Sequence, residues 1–374
     1  MESVDILQRL VSFPTVSRDS NLGLIGFVRD YLAEIGVTSR LYVDAEGRKA
    51  NLYASIGPPD RGGVLLSGHT DVVPVDGQDW SRDPFRLAEH DGRLFGRGSS
   101  DMKGFIACAL RAAALASRRK LSVPLQLAFS YDEEVGCLGV HSLIDDMATW
   151  PHRPQFCIVG EPTMLRLATG HKGKTALKAT CHGRAAHSAY PAQGINAIHI
   201  ACDLVARVRA RQAAIAAHGP FDAGYTVPYT TLHVGVIHGG TVLNIVPSRC
   251  ELELEIRNLP ADDPAAIVAA LRADAAAVAG DGRVELEISN AYPALDTPAD
   301  AEVVRLAAAL TGIEERIKVG FGTEGGLFSD VLGIPTVVCG PGSIDQAHKP
   351  DEFIANDELG RCDAMLEALL QRLA

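Results

Sequence analysis

The strongest constraint on the fold is a set of short apolar segments, each ending in acidic or histidine residues and alternating with helical stretches. Residues 63–68 lead straight into His69-Thr70-Asp71. Residues 125–131 end at Asp132-Glu133-Glu134, and residues 155–159 end at Gly160-Glu161-Pro162. Residues 335–339 run into a Gly/Pro-rich loop that contains His348. Apolar runs of this length read as strands buried on both faces. Helical patterning over 6–35, broken by a loop at 12–21, and over 102–118 and 301–310 completes an α/β chain with a largely parallel sheet. Shorter strand-like runs lie at 40–43 and 50–55. Functional groups in such sheets gather beyond the carboxyl ends of the strands, where His69, Glu133, Glu134 and Glu161 all stand.

The pattern changes after about residue 170. Strand-like runs at 174–181, 229–237, 248–256 and 284–288 and helices at 196–211 and 264–278 follow in the order β-α-β-β-α-β, the ferredoxin-like split arrangement. The α/β pattern then resumes. The expected division is a first part at 1–171, an insertion at 172–284 and a second part at 285–374.

The 374 residues are 47% hydrophobic and 22% charged, values of a globular chain, and the length suits two domains. The net charge of −11 argues against a nucleic-acid partner, since phosphate binders concentrate Lys and Arg. Residues 172–284 carry 11 basic and 9 acidic side chains, so the acidity belongs to the rest of the chain. No apolar run is long enough to span a bilayer, and the opening Met1-Glu2-Ser3-Val4-Asp5 lacks the basic and apolar parts of a secretory signal. The eight cysteines form no C-x-x-C pair and read as free, mostly buried thiols of a reducing compartment. The expected location is cytoplasmic.

Taken singly, the candidate residues have ordinary readings. His69-x-Asp71 could be an incidental loop pair, Asp101 a helix N-cap, and Glu133-Glu134 and Glu161 solvated turns. Together they supply two histidines and three carboxylates for metal, a carboxylate behind His69 to hold its other ring nitrogen, and a spare Glu. That mixed N/O inventory suits zinc or a neighbouring transition metal, and two ions rather than one.

The set Gly68-His69-Thr70-Asp71-Val72-Val73-Pro74, Ser100-Asp101-Met102-Lys103-Gly104, Asp132-Glu133-Glu134, Gly160-Glu161-Pro162-Thr163 and Ala347-His348 resembles the zinc-dependent aminoacylase, desuccinylase and carboxypeptidase family. The resemblance implies a large mixed sheet of the zinc-peptidase type flanked by helices, with the ferredoxin-like α+β insertion as lid and dimerisation domain. It implies two divalent ions, zinc first, with cobalt or manganese accepted by the same set. His69 and Glu161 would hold one ion and Glu134 and His348 the other, with Asp101 between them. Asp71 would orient His69, Glu133 would act as general base in amide hydrolysis, and His187 would help hold the oxyanion. The Asp101–Met102 peptide would be cis.

Several segments further resemble the acetylornithine deacetylases within that family: His171-Lys172-Gly173, Tyr225-Thr226-Val227-Pro228-Tyr229, Thr323-Glu324-Gly325 and Gly340 to Glu352. The implied substrate is a small N-acetyl amino acid, N-acetyl-L-ornithine first, with a related N-acyl amino acid or dipeptide as the alternative. A non-catalytic metal-binding relative is the reading from a different class. Arg257 suits a substrate carboxylate, with Asn244 assisting, and Glu324 or Asp345 would accept the ornithine ammonium. Gly325 and Asp345 depart from the residues usual in those relatives.

Overall fold

Val64–His69, Leu125–Ser130 and Thr336–Gly340 are buried along their whole length. Strands buried on both faces belong in the middle of a sheet. That is where they lie in the computed structural model, which describes residues 1–374. The sheet order is Ser39–Val43, Ala50–Ile56, Leu125–Ser130, Val64–His69, Phe156–Pro162, Thr336–Gly340, Leu167–His171, Leu295–Asp296, and Arg316–Val319 pairs with Leu167–His171 off this path. Leu125–Ser130 through Thr336–Gly340 run parallel. The strands flanking them pair antiparallel. The sheet is therefore mixed, as the family resemblance implies, with its parallel pairing at the centre. Ser39–Val43 and Ala50–Ile56 are joined by a short turn, which permits only antiparallel pairing.

Gly104–Ala116 packs beneath this sheet, with Phe105 to Leu110 all buried. A helix apolar on nearly every side belongs inside a core. Gly160 lets the sheet approach it, because a Cβ there would overlap the Phe105 ring. Ser3–Val11 and Asn356–Leu373 pack against it. Asn356–Leu373 and His141–Ala148 are helices beyond those expected from sequence. The former buries Leu359, Cys362, Leu366, Leu369 and Leu373, a three-to-four-residue period that encodes a helix.

The chain forms two compact units, one of Met1–Gly170, Leu295–Lys318 and Thr323–Ala374, the other of His171–Ala294 and Val319–Gly322. The smaller unit has an antiparallel sheet ordered Thr231–Gly239, Arg249–Asn258, Gly173–His182, Arg283–Tyr292. Helices Ala197–His218 and Pro264–Val278 pack on it through Ile200, Leu204, Val208, Val268 and Leu271. Asn196 and Asp263 cap these helices through side-chain oxygens. The unit runs ten residues beyond the expected end at 284. Arg283–Tyr292 continues its pairing past an irregularity between Ile288 and Asn290, where the apolar alternation of the sequence stops. No helix is long and apolar enough to cross a membrane.

Candidate metal centre

Five segments of the larger unit bring the acidic and histidine side chains together. His69 ends its strand, Glu161 lies near the end of Phe156–Pro162, and Glu133 and Glu134 follow Leu125–Ser130. Asp101 sits in the tight turn Ser99–Lys103 that opens the buried helix, and its peptide bond to Met102 is cis. His348 comes from the loop after Thr336–Gly340 and has a left-handed backbone, φ 62°. That loop can close on Ser100 because Gly342, at φ 84°, has no Cβ to meet the Ser100 side chain.

Asp101 divides its two oxygens between the histidines. Oδ1 is 3.2 Å from His69 Nε2 and Oδ2 is 3.4 Å from His348 Nε2. Each histidine also meets a glutamate: His69 Nε2 is 3.7 Å from Glu161 Oε1, and His348 Nε2 is 3.0 Å from Glu134 Oε2. His69, Glu133 and Glu161 offer ligand atoms within 4.8 Å of one another, as do His69, Asp101 and Glu134. His69, Asp101 and Glu161 are buried, whereas the His348 side chain is 54% exposed and gives the cluster an open side.

The electrostatics fit a cation. Burial pushes the Glu133 and Glu161 carboxyls well above the usual range, and neighbouring acids add to it. Burial, with Asp101 nearby, pushes Glu134 up to about 7. Asp101 and Glu134 raise His348 to about 10. Burial alone would lower His69, but Asp101 and Asp71 hold it well above its ordinary value. Acids crowded into a buried site call for a cation, and convergent N and O donors of this kind are suited to zinc or a similar divalent ion.

Asp71 sits behind His69, though its closest contact with the ring is through the main chain. The Asp71 carbonyl accepts from His69 Nδ1 at 3.0 Å, while the carboxylate is 3.6 Å away. This carboxylate instead accepts the N–H groups of Glu133 and Glu134 and the Ser17 hydroxyl. Two residues not singled out from sequence complete the support. The Glu352 carboxylate accepts the N–H groups of Gly98, Ser100 and Asp101 and pairs with buried Arg97. Their one sequence signal is position, since Arg97 is four residues before Asp101 and Glu352 four after His348.

The remaining candidates are placed as follows. Glu324 is buried, 2% exposed, and accepts from the Ser67 hydroxyl through Oε2. Burial pushes its carboxyl up to about 7. Asp345 is exposed in the His348 loop. His187, Asn244 and Arg257 belong to the smaller unit. There His187 bridges Ile245, the Asn244 carbonyl accepts from Ser188 N, and Arg257 donates to Tyr292 Oη at 2.9 Å and pairs with Glu255 at 3.2 Å.

A mixed sheet with paired histidines and carboxylates at its central strand ends defines the class as a metallohydrolase-type α/β protein. The chain belongs to the peptidase family M20/M25/M40, which it matches over residues 65–372. Solved structures with the same fold include an M20 family metallo-carboxypeptidase from Sulfolobus solfataricus, 20% identical with a TM-score of 0.81, covering 99% of each chain. A tripeptidase from Staphylococcus aureus is 18% identical with a TM-score of 0.77, covering 99% of this chain and 98% of that one. A dinuclear metal binding peptidase of the M20 family from Bacillus subtilis is 15% identical with a TM-score of 0.69, covering 99% of this chain and 97% of that one.

Proposed function

We propose that this protein hydrolyses the amide bond of an N-acylated amino acid, releasing acetate from N-acetyl-L-ornithine. The observation that carries the reading is the division of Asp101 between His69 and His348, each backed by a glutamate. His69 and Glu161 would hold one divalent ion, Glu134 and His348 a second, and Asp101 would touch both. Zinc is the first candidate, and cobalt or manganese suits the same donors. Such ions, when bound, polarise the scissile carbonyl and make water a nucleophile at neutral pH. Glu133 takes the proton from the attacking water and returns it to the leaving nitrogen. Burial, with Glu134 and Glu324 nearby, pushes its carboxyl well above the usual carboxylate range. Arg257 and Asn244 are assigned to the substrate carboxylate, His187 to the oxyanion, and Glu324 or Asp345 to the ornithine ammonium. The smaller unit is assigned the roles of lid and homodimer contact.

A second reading, dipeptide hydrolysis by the same residues, is favoured by the peptidases that share the fold. The test is turnover of N-acetyl-L-ornithine, N-acetyl-L-methionine and a dipeptide panel, with and without chelator. Preference for acetylornithine, lost on metal removal, is the expected result. Preference for dipeptides supports the second reading, and chelator-insensitive turnover overturns both. Unchanged preference in both Glu324→Gln and Asp345→Asn would remove the ammonium assignment.

A further inference from the structure

A closed ring of hydrogen bonds stands behind the Glu133–Glu134 turn. Lys49 Nζ donates to both oxygens of Asp132, at 2.6 and 2.7 Å, and to the Ser17 carbonyl at 2.5 Å. The Ser17 hydroxyl donates to Asp71 Oδ2 at 2.7 Å. Asp71 accepts the Glu133 N–H on Oδ1 at 3.1 Å and the Glu134 N–H on Oδ2 at 3.3 Å. Asp132 and Glu133 are joined by a peptide bond, so the circuit closes. The Lys49 and Asp132 side chains are only 11% and 14% exposed, a setting in which a charge pair is poorly screened.

We propose that Lys49, with Ser17, is a positioning residue that sets the direction in which Glu133 and Glu134 leave the backbone. This role rests on the reading of Glu133 as the proton acceptor. Adjacent glutamates with different tasks must point to different places, and their two N–H groups already converge on one carboxylate. Asp132 immediately before them has a left-handed backbone, φ 56°, uncommon for a residue with a Cβ. Lys49 grips its side chain and ties it to the segment around Ser17. That segment is itself fastened by Ser17 N donating to the Val72 carbonyl at 3.2 Å and Thr15 Oγ1 to the Thr70 carbonyl at 2.6 Å. Lys49 also offsets the charge of Asp132, which the nearby Asp71 would otherwise repel. Lys49 and Ser17 precede residue 65, where the family match begins, whereas Asp71, Asp132 and the two glutamates lie within it.

The experiment compares wild type, Lys49→Met, Lys49→Arg and Ser17→Ala, each loaded with zinc. Two quantities are read: steady-state kinetics on the best substrate, and hydrogen–deuterium exchange of the peptide spanning residues 131–138. Lys49→Met is expected to lower kcat ~10–100-fold with KM within ~2-fold, as for residues that orient catalytic groups without touching substrate. Its 131–138 amides should exchange ~10-fold faster or more as the turn opens locally. Lys49→Arg, which keeps the cation, should recover most of both. If Lys49→Met does not fold, Ser17→Ala, which removes one hydroxyl and no charge, should show the same changes at smaller size. Wild-type kcat and exchange in the folded variants would overturn the proposal, and so would a Lys49→Arg as impaired as Lys49→Met. Failure of the amidohydrolase reading is seen separately, as Glu133→Gln with undiminished turnover, and the exchange measurement decides the ring in either case.

Discussion

Glu352 Oε1 accepts the N–H of Asp101 at 3.0 Å, although 251 residues separate the two in sequence. The same carboxylate accepts from Gly98 N at 3.0 Å and Ser100 N at 2.9 Å, and it pairs with Arg97 at 2.7 Å. The turn that carries Asp101 is thus held by an anion delivered from the loop that carries His348. The two ends of the proposed metal centre are tied together beneath it.

Glu352→Gln would keep the shape and lose the charge. Arg97, 1% exposed, would be left without its counter-ion, and breaking one partner of a buried pair costs ~3–5 kcal/mol. Urea denaturation should register that loss. Affinity for divalent ions, read by titration calorimetry, should fall ~10–100-fold because Asp101 is no longer fixed. Unchanged stability and affinity would show that the clamp is incidental.

Metal removal should lower stability as well as activity. Glu133, Glu134 and Glu161 are buried beside one another, with burial and mutual repulsion raising their carboxyls. Divalent ions at ~100 times their dissociation constant should stabilise the fold by ~2.7 kcal/mol per site. Thermal melts with chelator and with added zinc check this, and a Tm indifferent to both would contradict the assignment.

His171 should make the smaller unit acid-sensitive. Burial lowers its pKa from 6.5 to about 4, so the folded state favours the neutral ring. Between those values the unfolded chain binds the extra proton. Stability is therefore full above ~6.5 and declines as pH falls towards ~4, by an amount on the order of 3 kcal/mol. His171→Asn, which cannot take the proton, should flatten that part of the stability–pH curve. A variant that loses stability over pH 6.5 to 4 as steeply as wild type would assign the acid sensitivity to other groups.

Thiol accessibility should be sharply graded. Seven of the eight cysteines are buried and Cys202 is exposed, with none in a disulfide. A chromogenic thiol reagent should therefore titrate one thiol quickly in the native protein and eight in denaturant. Fast reaction of several native thiols would contradict the burial of Cys108, Cys157, Cys339 and Cys362.

Much of the centre is legible in the sequence because buried strands advertise themselves. Residues 64–66 and 125–129 are largely apolar, so the polar residues just beyond them, His69 and Glu133-Glu134, had to emerge at strand ends. Other parts carried no such signal. The antiparallel pairing of Ala50–Ile56 with Leu125–Ser130 depends on which neighbour a strand meets, and apolar composition does not encode that. The smaller unit runs on through Tyr292 because pairing with Gly173–His182 continues after the alternation has ceased. Asp71 looked like the carboxylate that orients His69. In the folded chain its carbonyl makes the closer contact, and its carboxylate serves the Glu133–Glu134 turn.

The sequence by itself determined the donor inventory and the α/β and β-α-β-β-α-β order, which rest on local composition, periodicity and spacing, while its motifs carry the family resemblance. Only the tertiary structure decided that each Asp101 oxygen faces a different histidine. It alone showed that Glu352 grips the Asp101 turn and that Lys49 closes a ring through Ser17, Asp71 and Asp132. The physical reason is range. Strand burial and helical period act over a few residues, whereas a hydrogen bond between partners dozens or hundreds of residues apart leaves no periodic trace in the chain that makes it.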